Sequence, residues 1–337
     1  MRLSKWLLSA ACALGLLLAV TISFTIGWRP FFGPKARPLT ARTFEPTAQR
    51  LDRGRYIATA LSGCIYCHSP HDWNAPGTPL LPGKEGSGEI LPYADLPGRV
   101  VAPNLTPDLQ TGAGGWSDDQ LARAIREGVG HDGHALFPMM PYTHYRQMSD
   151  EDLASVIVYL RSIVPVHNEL PKTEITFPVK YLIRTAPEPV TSSISDLPAT
   201  SPAVVRGAYL VSMAGCSDCH TPQKNGRDLP GMVFAGGFPL SGPWGNVVSA
   251  NITPDASGIS YYDEALFLEV FHSGSVKARP LSPAMPIQVY KNLRDDDLRL
   301  MFAYLSTIKP VQHRVDNTEQ PTLCKICGQK HGDGDRN

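Results

Sequence analysis

The sequence predicts an all-α protein made of two tandem copies of one small domain, each a few short helices wrapped around a covalently held group. Three observations predict this. MPYTHYRQMSDEDLASVIVYLRSIVPV, starting at Met140, aligns without a gap on MPIQVYKNLRDDDLRLMFAYLSTIKPV, starting at Met285. The match continues upstream as APNLTPD (102–108) against SANITPD (249–255), and as GRYIATALSGC against GAYLVSMAGC. Each copy also holds the same short motif, CIYCH at Cys64–His68 and CSDCH at Cys216–His220. An offset near 145–153 residues is too long for a solenoid repeat and marks a duplicated domain.

The composition agrees. Proline and glycine, 31 and 29 of 337 residues, stand near 9% each against roughly 5% and 7% in ordinary domains. That describes short helices joined by punctuated loops rather than layered sheet. The net charge is zero, so no nucleic-acid-binding footprint is present at this level.

At the start, Arg2 and Lys5 precede an uncharged run, Trp6–Trp28. About 20 apolar residues suffice to cross a bilayer, whereas the core of a signal peptide is roughly 7–15. Residues 1–29 are therefore expected to anchor the chain with the basic end in the cytoplasm and the domains outside. Cleavage as a signal peptide, giving a soluble periplasmic protein, is the alternative. Either way the domains are exported.

The first domain is expected over 46–165. Leu51, Ile57, Ala58 and Leu61 lie at helical spacing and Gly63 stops that helix, placing the CxxCH turn directly on its end. Residues 69–102 read as a loop covering one edge of the bound group. Ser117 with Gln120, and Ser149 with Asp152, open two capped helices; Gly128 closes the first. A proline- and serine-rich stretch, 166–202, reads as a surface linker whose FPVKYLIR segment packs between the domains. The second domain, 203–312, repeats the order with helices over 204–214, 263–271 and 296–308. A tail, 313–337, follows.

CxxCH is the attachment signature of a c-type haem: two thiols add to the vinyl groups and the histidine takes the iron. Cys64, Cys67, Cys216 and Cys219 are thus expected to hold two covalent haem c groups, with His68 and His220 as proximal ligands. The loop before the last helix offers the sixth ligand as a matched Met-Pro pair, Met140-Pro141 and Met285-Pro286. A thioether is soft and neutral and favours ferrous iron. Met139 competes with Met140, but only Met140 aligns with Met285. His134 could make a bis-histidine site, without a counterpart in the second copy. Met148, Met213, Met232 and Met301 read as packing residues, and His131, His144 and His272 as surface or hydrogen-bonding groups. Tyr56 with Tyr209, and Asn104 with Asn251, match between copies and are expected to pack or hydrogen-bond near the haem edge.

The order helix, CxxCH, long loop, NLTPD, WSDDQLARAIREG, MPY, SDEDL, YL resembles tandem class I cytochrome c domains over about residues 50–311. It is similar to dihaem cytochromes and to the cytochrome c subunits of membrane-bound alcohol and gluconate dehydrogenases. Those subunits usually carry three haem motifs; here there are two. The resemblance implies an axial methionine at the Met-Pro position. It also implies an electron carrier rather than an enzyme, taking single electrons from a periplasmic or membrane dehydrogenase toward a terminal oxidase. A haem subunit of a multi-subunit dehydrogenase, and a dihaem peroxidase with one openable iron, are the alternatives.

In the tail, Cys324 and Cys327 are followed by His331 with no histidine next to Cys327, so a third haem site is excluded. A local disulfide, a zinc site of Cys324, Cys327 and His331 needing one further ligand, and a free dithiol remain. The oxidising compartment favours the disulfide.

Overall fold

The computed structural model describes residues 2–75 and 77–332; the last five residues of the expected tail lie outside the described residues. Its helices run in order: α1 Arg2–Phe24, α2 Arg29–Phe32, α3 Ala48–Tyr56, α4 Cys64–Cys67, α5 Asp118–Glu127, α6 Tyr142–Tyr145 and α7 Asp150–Ser162. After α8 (Val179–Leu182) come α9 Ala203–Met213, α10 Cys216–His220, α11 Glu264–Ser273, α12 Ile287–Tyr290 and α13 Asp295–Leu305. The chain is rich in short helices, with small antiparallel strand pairs among the loops. The longest of these joins Pro239–Gly242 to Gly245–Val248.

Local chemistry sets the helix ends. Ser117 and Gln120 form a reciprocal capping box on α5, and Gly128 ends it in the left-handed conformation. Ser149 Oγ accepts the Asp152 amide at the start of α7, and Asp263 caps α11. Beyond Tyr56, α3 continues as a π-helical turn over Ile57–Leu61.

In each half the first helix crosses the last: α3 on α7, α9 on α13. Both crossings are made at a glycine. A Cβ on Gly54 would stand 1.8 Å from Ser155 O, and one on Gly207 1.9 Å from Leu300 O. No other residue allows the two backbones that close.

The halves are joined reciprocally. Tyr56 Oη donates to Asp297 at 2.5 Å and accepts the Arg294 amide. Tyr209 Oη donates to Asp152 at 2.7 Å and accepts the Ser149 amide. Each tyrosine of a first helix thus reaches the last helix of the other half. The hydrogen bonding expected of Tyr56 and Tyr209 is thus made across the boundary between the halves. Packing is crossed in the same way, with α6 on α9 and α12 on the π turn. His144 Nε2 meets Asp218 at 2.6 Å across the same boundary.

The 166–202 segment does cross the surface, with Glu174–Ile175 pairing to Gly98–Arg99. Its FPVKYLIR stretch, however, does not pack between the halves. Phe177 is 80% exposed and α8 buries none of its residues; it lies against α2, where Arg184 donates to Pro30 O at 2.8 Å. Only Val179, Ile183 and Arg184 of this stretch are half-buried and the rest is exposed, too little covered apolar surface for an interface between the halves.

α1 includes Lys5–Phe24, an apolar stretch long enough to cross a membrane, with mean hydropathy 2.3 and no part of it packed inside. The chain that follows is fastened to the first half. Arg37 makes a two-pronged bond to Asp119 at 2.7 and 2.8 Å and reaches Glu127 at 2.7 Å. Burial opposes ionisation of Asp119, but the bonds from Arg37 and Thr40 outweigh it and bring the carboxyl down to about 2. For Glu127 burial prevails over the same arginine and its carboxyl is pushed up.

Arg37→Ala should therefore destabilise the protein by about 3–5 kcal/mol, because two buried carboxylates lose their cation. Chemical denaturation of wild type and variant at neutral pH measures this. Since Asp119 is depressed in the folded state, its contribution is complete above about pH 4 and fades as the pH falls toward 2. Glu127 acts in the opposite sense, its burial penalty being relieved by protonation. The difference between wild type and variant should accordingly shrink on acidification.

Candidate haem centres

Each CxxCH motif hangs from the end of a first helix. Gly63 (φ +62°) and Gly215 (φ +67°) take the left-handed conformation that starts the short helix carrying the cysteines. In the first half the His68 amide returns to Cys64 O at 3.0 Å, closing the turn. One turn thereby presents two sulfurs and an imidazole together.

The two imidazoles are set alike. His68 Nδ1 bonds Pro103 O at 2.8 Å, and His220 Nδ1 bonds Ala250 O at 2.7 Å. That fixes the tautomer and leaves Nε2 as the donor to a metal. Burial lowers the pKa of both rings despite these bonds, so each is held neutral. Burial also pushes the thiols up, Cys64, Cys216 and Cys219 to about 12 and Cys67 to about 11. Cys67 is exposed at its own surface, but the surrounding bulk of protein still disfavours its thiolate. A thioether carries no charge and suits such a setting.

The accepting carbonyls are held by the asparagines that the repeat singles out. Asn104 Oδ1 accepts the Thr106 amide and hydroxyl at 2.9 and 2.7 Å, while its Nδ2 donates to Val166 O at 2.8 Å. Asn251 does the same with Thr253, at 2.9 and 2.8 Å, and with Val311 O at 2.8 Å. Both are buried. The NLTPD and NITPD segments are therefore supports for the histidine-bearing loop.

Met140 and Met285 occupy equivalent turns, their amides bonded to Phe137 O and Ser282 O at 3.1 and 3.0 Å. Both lie half-buried against the core that also receives Cys64 and Cys216. The short helix after each methionine is tied to the cysteine turn. Tyr145 Oη donates to Ser62 O at 3.0 Å and Tyr290 Oη to Ala214 O at 2.6 Å. The fold thus brings each Met-Pro loop to the CxxCH turn of its own half.

Other candidates fall away. Met139 is exposed, and Met148, Met213 and Met301 are core residues; Met232 is half-buried. His134 pairs with Asp132 at the surface, His131 stacks on Trp116, and His272 meets Asp295.

A ring cluster beside both motifs is not legible from sequence. His71 stacks on Trp73 at 4.4 Å, and Trp73 and Tyr93 approach Trp244 of the other half at 6.0 and 5.3 Å. Tyr93 is pushed up by burial and then by Cys67 and Cys219, which places it within electrostatic reach of both turns. His71 Nδ1 donates to the Glu89 carboxylate at 2.7 Å, and the buried His71 Nε2 and Trp244 Nε1 have no hydrogen-bond partner among the described residues.

Comparison with known proteins agrees with this geometry. The family model described as Cytochrome c matches residues 51–163. A "Diheme cytochrome c-type" of Cereibacter sphaeroides is 30% identical over 269 residues, covering 77% of this chain and 86% of that protein. This chain belongs to the cytochrome c family, whose members carry covalently bound haem c. It is also 30% identical to a nicotinate dehydrogenase subunit of Pseudomonas putida, over 91% of this chain and 25% of that protein. The alcohol dehydrogenase (quinone) cytochrome c subunit of Gluconobacter oxydans is 28% identical, over 77% of this chain and 55% of that protein. The chain thus spans a quarter to about half the length of these two relatives.

Asn251→Ala removes five side-chain hydrogen bonds, with Thr253 (two), Ser257, Val311 and His313, each worth up to about 1 kcal/mol, and should cost about 3–5 kcal/mol while leaving every haem-bonding atom in place. Denaturation of the holo-protein, followed through its haem absorption, measures the loss. Asn104→Ala should behave alike.

Proposed function

We propose that the chain carries two haem c groups, one in each half, and passes single electrons between partner proteins. The observation that carries this is the doubled donor set: two cysteines, a neutral histidine with Nδ1 on a carbonyl, and a tied-back Met-Pro loop. Such a set fits a six-coordinate haem. Cys64 and Cys67 would hold the first group with His68 and Met140 as iron ligands. Cys216 and Cys219 would hold the second with His220 and Met285. When bound, the haem supplies one-electron exchange at iron with little ligand rearrangement. The protein's own residues keep the imidazoles neutral and oriented, and Tyr145 and Tyr290 lock the ligand loops. The unpartnered Trp244 Nε1 is a donor suited to a carboxylate group of a cofactor.

On this reading the second half, 203–312, is a second cytochrome c domain beside the first, 46–165, and the fold is all-α in class. A histidine, a methionine and a porphyrin leave no open iron position, which favours a carrier over a dihaem peroxidase. The relatives named as cytochrome subunits of alcohol, gluconate and fructose dehydrogenases support a role as the haem subunit of a dehydrogenase complex. A terminal oxidase is the acceptor in this scheme. The apolar helix α1 supports anchoring to the membrane, with the haem domains in the periplasm.

Two measurements test this. The oxidised holo-protein should show the weak far-red band of sulfur-ligated iron, and Met285→Ala should remove about half of it. Ferrous wild type should not bind carbon monoxide at neutral pH. Rapid binding of one equivalent would favour the peroxidase reading instead.

For the anchor, N-terminal sequencing of the native protein should find α1 retained, and the protein should sediment with membranes. Removal of residues 1–29 behind a cleavable export signal should give a soluble form with the same spectrum. That form should reduce a membrane oxidase more slowly at equal bulk concentration, because tethering raises the local concentration.

A further inference from the structure

Outside the haem centres, two cysteines and two histidines converge at the far end of the second half. The donor atoms of His313, Cys324, Cys327 and His331 all lie within 4.8 Å of one another. His313, Cys327 and His331 are buried, and Cys324 is half-buried. We propose that these four residues bind one zinc ion, through His313 Nε2, Cys324 Sγ, Cys327 Sγ and His331 Nε2, and that this ion clips the tail onto the second half.

The ligand orientation supports it. His313 Nδ1 bonds Ala235 O at 2.8 Å and its Nε2 stands 3.5 Å from Cys324 Sγ. His331 Nδ1 bonds Arg314 O at 3.2 Å and its Nε2 stands 3.2 Å from Cys327 Sγ. Each ring spends one nitrogen on a carbonyl and turns the other toward the sulfurs, the arrangement in which outer hydrogen bonds orient zinc-binding histidines. Tetrahedral zinc, with Zn–N near 2.0 Å and Zn–S near 2.3 Å, sets its ligand atoms about 3.3–3.8 Å apart. The observed approaches lie close to that range.

The cysteines sit on a tight turn between the paired strands Thr322–Leu323 and Lys330–His331. The Cys324 amide bonds Gln329 O at 2.8 Å, the Gly328 amide bonds Cys324 O at 3.0 Å, and the Ile326 amide points to Cys324 Sγ at 3.4 Å. An amide directed at sulfur stabilises a thiolate. Binding releases two thiol protons, and Zn²⁺ with two thiolates and two neutral imidazoles is a neutral unit that can be buried. The two thiols are not joined in the structure. A disulfide between them leaves two buried imidazoles aimed at the sulfurs without a purpose, whereas a metal uses all four.

The repeat shows what was added. In the first half, Asn168 takes the position of His313: its amide bonds Thr111 Oγ1 at 2.9 Å as that of His313 bonds Ser257 Oγ, also at 2.9 Å. Asn168 Nδ2 donates to Ser87 O at 2.9 Å, just as His313 Nδ1 bonds Ala235 O. Asparagine suffices for that clamp. Histidine in the second half keeps it and adds one nitrogen on the side where the cysteines lie.

The test is elemental analysis of the full-length holo-protein, normalised to protein mass, with intact-mass measurement after alkylation without reduction. The expected result is one zinc per chain, with Cys324 and Cys327 alkylated only once a chelator has removed the metal. His313→Asn, which restores the first half's own clamp, should keep the haem spectrum and weaken zinc binding by more than about tenfold; chelator competition reads this. If that variant fails to fold, competition on the reduced, metal-stripped wild type decides, and should find one tight site. A Cys324–Cys327 disulfide in the native protein, absence of a tight site in the reduced protein, or unchanged affinity in His313→Asn overturns the proposal.

Discussion

The crossing of first and last helix in each half is the contact on which the remaining structure depends. At Gly54 and Gly207 the helices touch backbone to backbone, and this closeness determines where both ends of each site lie. The first helix ends at the CxxCH turn, while the last begins just after the Met-Pro loop. A side chain at either glycine would force the helices apart by ångströms, and the tyrosine bonds that tie the loop to the turn span only a hydrogen-bond length. Dense packing transmits such a shift to the site rather than absorbing it.

The same two helices also make the interface between halves. Asp152, early in α7, receives Arg53 from its own half at 2.7 Å and Tyr209 from the other. Asp297, early in α13, receives Tyr56, over whose ring the Arg294 guanidinium lies at 4.3 Å. Acidic residues in a first helical turn are favoured by the helix dipole, so these carboxylates suit the helix starts at which they accept. The reciprocal bonds join the two halves near the cysteine turns, with the ring cluster of Trp73, Tyr93 and Trp244 alongside.

What could be read from the sequence was what is local. CxxCH, the serine caps of α5 and α7, and the glycine stops each complete their chemistry within five residues, so spacing alone revealed them. The matched Met-Pro turns needed only the repeat. The tyrosines were visible as a matched pair, yet their acceptors lie 241 and 57 residues away, and no periodicity announces such a bond. His313 escaped notice for the same reason. It stands eleven residues before Cys324, outside any regular metal-ligand spacing, and the chain must double back through a hairpin to bring them together. The 177–184 stretch misled because apolar composition says that a segment can be buried, not against what.

The two halves are not equal in what they are fastened to. The segment after α1 runs along the first half and is locked there by Arg37 on Asp119 and Glu127, and by Asp118 accepting the Phe44 amide. The tail instead folds onto the second half, beside the loop whose Gly236 amide bonds His220 O at 2.7 Å. Each end of the chain therefore braces a different site. The segment that follows α1 is therefore not a slack tether: Arg37 fixes its path along the first half. The second half, joined to the first by the 166–202 segment and the interface, has the tail folded onto it as its own brace.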